Sequence, residues 1–278
     1  MARPLVTLTT DIGAAYAAQI RAVLLRRVPG AQIVDLIVDL TPHGVGEAAF
    51  LLDHLARGFP AGTIHLAVVD PGVGSRRRPL AVRTREGSSL VGPDNGLLDP
   101  LARRWGVRTA VRLQRHRFAA GPRVGATFDG RDLFAPAVAA LLEGHALPSL
   151  GPRVAYRPRA PRPPVRTPDG ARGRVAHVDR FGNLITDLPS GWAPARAGTS
   201  EIRLGAAPWR PIARVRHYAA LPPGGVGVLP SSFGTLEIAV REGRGSERLG
   251  AAVGDPVGLR WRVRRAPRAK RNYRAEVR

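Results

Sequence analysis

The chain has 278 residues, 44% of them hydrophobic, and no cysteine, which excludes disulfides, thiolate metal sites and cysteine nucleophiles. Its formal charge is +22, but the arginines run along the whole length, lysine occurs only at Lys270, and aromatic residues make up only 5%. So even a bias favours loose attraction of polyanions at low salt and excludes a built, sequence-specific nucleic-acid site. No stretch matches the roughly 20 apolar residues of a membrane span. The first ten residues run into a strand pattern with no leader-like apolar region, so a cytoplasmic protein without membrane attachment is expected.

Leu5 to Thr9 reads as a first strand, with Thr10-Asp11-Ile-Gly13 at its end. Tyr16 to Arg27 has helical spacing, with Ile20, Val23 and Leu24 on one face and Pro29-Gly30 as the stop. Gln32 to Leu36 is a second strand. Thr41-Pro-His43 is a loop, and Gly46 to Leu55 is a second helix carrying Ala48, Leu51, Leu52 and Leu55. Thr63 to Val69 is a buried-type strand that ends in Asp70-Pro-Gly-Val-Gly-Ser-Arg-Arg-Arg78. An acid at the C-terminal end of such a strand points at the crevice where open α/β sheets bind ligands. Gly72 and Gly74 let the loop turn sharply, and a neighbouring arginine holds the carboxylate ionised. Short strands at 80–83 and 89–91 flank a Glu86-Gly87 turn. Gly92 to Leu98 is a loop. Asp132 can cap a helix running from about Ala135 to Glu143, with Gly144 as its stop. Alternating strands and helices predict an α/β fold with a largely parallel sheet.

The composition changes at 151–173, where Pro152, Pro158, Pro161, Pro163, Pro164 and Pro168 sit among arginines. This reads as a stiff linker between an N-terminal domain, 1–150, and a C-terminal one, 174–262. The second domain shows short strands at 174–178, 201–204, 212–215, 236–240 and 257–261, which predict a small β-barrel or sandwich. Residues 263–278 form a basic tail.

Acids and amides gather at strand ends and loops: Asp11, Asp70, Asp94, Asn95, Asp179 and Asn183. No histidine pair has metal-ligand spacing, and no nucleophile elbow or phosphate-binding glycine loop is present. The chain resembles the S-adenosyl-L-methionine (SAM) hydroxide adenosyltransferases, the adenosine-forming SAM hydrolases related to fluorinase and chlorinase. The resemblance rests on Thr7-Leu-Thr-Thr-Asp11 with Gly13, Phe59 to His65, Ala67 to Gly74, Pro93-Asp-Asn-Gly-Leu97, Thr127-Phe-x-Gly-Arg-Asp132, Asp179-Arg-Phe-Gly-Asn-Leu-Ile-Thr186 and Ser232-Phe-Gly-x-Leu-Glu-Ile238. These stand in family order over roughly residues 5 to 260.

The resemblance implies an α/β domain followed by a β-barrel, and a homotrimer with SAM held at the subunit interface. It implies attack of water or hydroxide on ribose C5′, with SAM as substrate and neither cofactor nor metal. By the same likeness Asp11 binds the ribose diol and Asp179 the methionine ammonium. Asn183 meets the adenine edge and Ser232 lies near the methionine carboxylate. Asn95 belongs to a substrate-binding loop, and Phe181 or Phe233 packs on the adenosine. Asp70 and Arg77 match the first two members of a water-positioning Asp-Arg-His set. The third position is Asp129 in this chain. Imidazole accepts a proton near neutral pH more readily than a carboxylate does. The alternative reading is therefore a non-catalytic SAM- or adenosine-binding trimer.

Overall fold

The computed structural model describes residues 5–38, 40–119, 125 and 127–261. The chain divides into two compact units, Met1–Pro163 and Pro164–Arg278.

In the first unit β1 (Leu5–Thr10), β2 (Gln32–Ile37), β3 (Ile64–Val68), β4 (Pro79–Thr84), β5 (Ser89–Pro93) and β6 (Val107–Arg112) form one sheet in the order β2-β1-β3-β5-β4-β6. β1, β2, β3 and β5 run parallel, and β4 lies antiparallel to both β5 and β6. The helices are α1 (Gly13–Arg27), α2 (Val45–Leu55), α3 (Asp99–Trp105) and α4 (Ala135–Leu142). The two-residue period of the strands sorts the layers. Val6, Leu8, Leu66 and Val68 are buried in one cluster with Ile20 and Leu24 of α1 and Val138 of α4. Thr7 and His65 take the opposite face, where the His65 ring lies 5.3 Å from that of Trp105 at the end of α3. On the α2 side the Asp53 carboxylate accepts hydrogen bonds from Arg57 and Arg104, which ties α2 to α3.

The parallel strands end on one edge of the sheet, and Asp11, Asp70 and Asp94 follow β1, β3 and β5 there. Gly92 makes that edge possible. A Cβ on it would lie 2.2 Å from the carbonyl oxygen of Ala67, so β5 passes β3 at a distance only glycine allows.

The second unit holds β7 (Val165–Thr167), β8 (Gly170–Val178), β9 (Leu184–Pro189), β10 (Gly198–Leu204), β11 (Arg210–Arg214), β12 (Val226–Pro230), β13 (Thr235–Val240), β14 (Pro256–Trp261) and the short helix α5 (Gly245–Leu249). β14 pairs with both β10 and β8, which closes a seven-strand barrel with β7 alongside. Its interior is filled by Ala171, Val175, Leu184, Leu188, Ile202, Val228 and their neighbours.

The α/β sheet and the barrel are as the sequence predicts; several details differ. The proline-rich stretch 151–173 is not linker throughout, because β7 and the start of β8 fall within it and the units divide at Pro163/Pro164. α3, β6, β9 and β12 were not anticipated. Gly and Pro bracket β12, and Asp187 breaks the apolar run of β9, so neither shows a clear strand pattern. A π-helical turn at Gly130–Phe134 leads into α4, which has no side-chain cap. Asp132 instead accepts hydrogen bonds from Arg131. The basic tail read at 263–278 lies outside the described residues. No described helix is long and apolar enough to cross a membrane.

His65 is fully buried, its Nδ1 lies 2.8 Å from the Thr7 hydroxyl, and its Nε2 has no partner. Burial lowers its pKa from 6.5 to about 4. The unfolded chain therefore binds a proton that the folded chain refuses between these values. Folding stability is expected to fall by about 3 kcal/mol as pH drops from 6.5 to about 4. Urea unfolding of His65→Gln across that range should lack this component.

Candidate active site

The ends of β1 and β3, the loop before α2 and the turn before α4 meet around a cleft of about 240 Å³. Its polar lining is Asp11, His43, Asp70, Thr127 and Asp129, and Ile12, Pro42, Val68, Val73 and Phe128 supply apolar walls.

The loop after β3 builds the centre. Val73 N–H donates to the Asp70 carbonyl (3.1 Å) and Ser75 N–H to that of Gly72 (3.0 Å), which folds the chain back on itself. Arg77 thereby reaches Asp70, its Nε donating to Oδ1 at 3.0 Å and to Oδ2 at 2.9 Å. Arg77 Nη2 donates to Asp70 and also to Asp129, 52 residues further along. The Phe134 ring lies under the guanidinium at 5.5 Å. The two carboxylates are 6% exposed and Arg77 10%. Burial works against the charge on Arg77, but the hydrogen bonds it donates to Asp70 and Asp129 outweigh it and hold its pKa above the ordinary arginine value.

Asp11 Oδ2 accepts the backbone N–H of His43 at 2.8 Å, and His43 holds φ at +66°. That leaves the second Asp11 oxygen for a ligand. Phe128 is clamped from outside, with Arg131 over its ring at 5.1 Å and Tyr16 against its edge at 5.8 Å.

Asn95 does not line the cleft. Its Nδ2 donates to the Val69 carbonyl (2.8 Å) and its Oδ1 accepts Leu97 N–H (3.2 Å), so it braces the chain just before Asp70. Asp94 is held by Arg78 at 2.7 Å.

In the barrel unit Asp179 closes a tight turn. Its Oδ1 accepts the N–H groups of Phe181 (2.9 Å) and Asn183 (2.8 Å), and its Oδ2 accepts Asn183 Nδ2 (2.9 Å). The Asn183 side chain expected at an adenine edge thus spends one donor on Asp179. The turn presents Phe181 to solvent, 72% exposed. Buried Glu237 accepts a hydrogen bond from Tyr218, and desolvation raises its pKa. Ser232 and Phe233 belong to the β12–β13 turn. The register pairs Thr235 with Pro189 and Ile238 with Leu184, so that turn and the Asp179–Asn183 turn sit at opposite ends of β9 and β13.

The structure therefore gathers Asp11, Asp70, Arg77 and Asp129, and parts the barrel residues into two groups. Sequence reading missed His43 and Phe128 as cleft residues. The Thr41-Pro-His43 loop gave no signal beyond its turn composition, whereas Phe128 stood inside a quoted motif. Among the described residues, no group of three or more His, Asp or Glu side chains is placed to hold a metal ion.

An open, largely parallel sheet bearing a carboxylate–guanidinium–carboxylate centre at the C-terminal edge of its parallel strands, followed by a closed barrel, defines a two-domain α/β and β-barrel protein with a small-molecule cleft. Models of the SAM hydroxide adenosyltransferase N-terminal and C-terminal domains match residues 6–151 and 173–258. The chain belongs to the SAM hydroxide adenosyltransferase family. It is 38% identical to an (R)-S-adenosyl-L-methionine hydrolase of Salinispora tropica, over 91% of this chain and 96% of the relative. It is also 38% identical to a protein of the same name from Thermus thermophilus, over 88% and 94%. The crystal structure of an uncharacterized conserved protein from Thermotoga maritima matches with a TM-score of 0.83 and 32% identity, covering 92% of this chain and 99% of the other.

Removing Arg77 would take away the cation that these two buried carboxylates share. Arg77→Met is expected to cost about 3–5 kcal/mol of stability in urea unfolding. Adding Asp129→Asn to the same chain should recover part of that loss.

Proposed function

We propose that this protein hydrolyses SAM to adenosine and L-methionine by in-line attack of water on ribose C5′. The observation that carries the reading is the charge of the cleft. In a chain of formal charge +22, Asp11, Asp70 and Asp129 line one cavity with Arg77 between the last two. The resulting surplus of negative charge suits a sulfonium cation. The names of the relatives support the same substrate.

In this reading the C5′–O bond forms as the C5′–S bond breaks. The electron pair leaves with sulfur, which becomes the neutral thioether of methionine. Such a leaving group needs no proton, so the protein's task is to place and desolvate the water. Asp70, fixed twice by Arg77, orients the nucleophile, and Asp129, on the same guanidinium, takes up the proton that water releases. Phe128, Val68 and Val73 keep bulk water out, and the free oxygen of Asp11 receives the ribose diol. No cofactor enters the balance, since water is the only co-reactant.

We further infer a homotrimer in the cytoplasm, with SAM held between the first unit of one subunit and the barrel of the next. The pinned turn that presents Phe181 to solvent supports a role against a ligand bound on a neighbouring copy. A non-catalytic binding protein is the less favoured reading, because Asp129 keeps the ion pair with Arg77 that holds the centre together.

The test is incubation of purified protein with both sulfonium epimers of SAM and chromatography of the products. Equal amounts of adenosine and methionine are expected. Asp70→Ala should abolish release while changing SAM affinity by less than about tenfold, and unchanged turnover would remove Asp70 from the mechanism. Asp129→His is expected to raise turnover at neutral pH, since imidazole is the better base there. A loss would mean that the centre is built around the carboxylate.

A further inference from the structure

A second arginine is buried in this protein, without the counter-charges that Arg77 enjoys. Arg214 ends β11 and is 8% exposed. Two residues after inward-facing Ile212 it shares that face of the strand, at one mouth of the barrel, and it pairs with Gly198 of β10. Nε donates to the Arg196 carbonyl at 3.1 Å, Nη2 to the same carbonyl at 2.9 Å, and Nη1 to the Ser200 hydroxyl at 2.8 Å. Every one of these acceptors is neutral. Among the described residues no carboxylate pairs with it, and burial lowers its pKa. Two of the five guanidinium N–H groups remain after these bonds.

A buried cation with no anion costs several kcal/mol, which is why such groups are paired in folded proteins. At this mouth the neighbouring charges worsen the imbalance. Arg214 lines a cavity of about 80 Å³ together with Arg196, Arg216 and Ser190, under apolar walls that include Leu229, Pro230 and Leu236. Three arginines and no acid surround a space too small for a nucleoside but sufficient for one tetrahedral or planar oxyanion. Gly198 keeps the guanidinium accessible from its own side, since a Cβ there would lie 3.1 Å from Nη2. Barrel mouths are a common place for such ligands.

We propose that the barrel mouth at Arg214 is a binding site for a small oxyanion, of the phosphate or sulfate class. The anion accepts hydrogen bonds from the free N–H groups of Arg214 and is flanked by Arg196 and Arg216.

The experiment titrates the full chain with inorganic phosphate at constant ionic strength, chloride making up the balance, and follows heat and the thermal unfolding midpoint. One saturable site that raises the midpoint is expected. Arg196→Ala removes a flanking charge but keeps the carbonyl that holds Arg214, so the barrel should fold, and phosphate affinity should drop by at least about tenfold. Arg214→Met should abolish the saturable phase. Arg172→Ala, on the exposed face of β8, removes the same charge elsewhere and should leave binding unchanged. No saturable heat, or equal losses in Arg172→Ala and Arg196→Ala, would overturn the proposal by reducing the effect to the overall charge. Full displacement of phosphate by L-methionine would overturn it as a separate site, assigning the mouth to the substrate's carboxylate.

Discussion

One guanidinium holding two carboxylates is the constraint from which the α/β unit takes its functional form. Asp70 arrives from β3 and Asp129 from the turn that opens α4, and Arg77 pairs with both where they are buried. The loop from Asp70 to Arg77 must double back within a few residues, which explains its Pro-Gly-Val-Gly-Ser chemistry. Gly92 serves the same end from the next strand, by letting β5 press against the Ala67 carbonyl just ahead of Asp70. Asn95 then ties the loop after β5 to Val69. The polar centre thus sits just past the strand ends and is braced from behind, which favours positional precision.

Much of this was legible in the sequence. The strand ending at Asp70, the spacing of Arg77 and the barrel-like run of short strands all follow from local chemistry that the fold respects. Contact across distance was legible only through the family pattern, which sets Asp129 beside Asp70 and Arg77. Nothing local to Asp129 says that its carboxylate will meet an arginine 52 residues earlier. His43 looked like a turn residue because its left-handed backbone is stabilised by the Asp11 carboxylate, which a linear reading cannot see. Asp179, Asn183 and Ser232 share a family pattern, but pairing β13 with β9 sends their turns to opposite ends of the barrel. β12 was masked by the Gly and Pro that bound it.

Arg77 and Arg214 carry the same argument in opposite directions. Both guanidinium groups are largely withdrawn from water, and both belong to a chain whose other arginines are mostly solvated. Around Arg77 two carboxylates overturn the penalty of burial, and its pKa rises. Around Arg214, among the described residues, only a hydroxyl and a backbone carbonyl answer it, and its pKa falls. The first site therefore presents negative charge to whatever enters, and the second presents positive charge. In a protein this basic, composition says little about what either site binds. The meaning of each arginine is fixed by the acids that the fold brings to it or withholds from it.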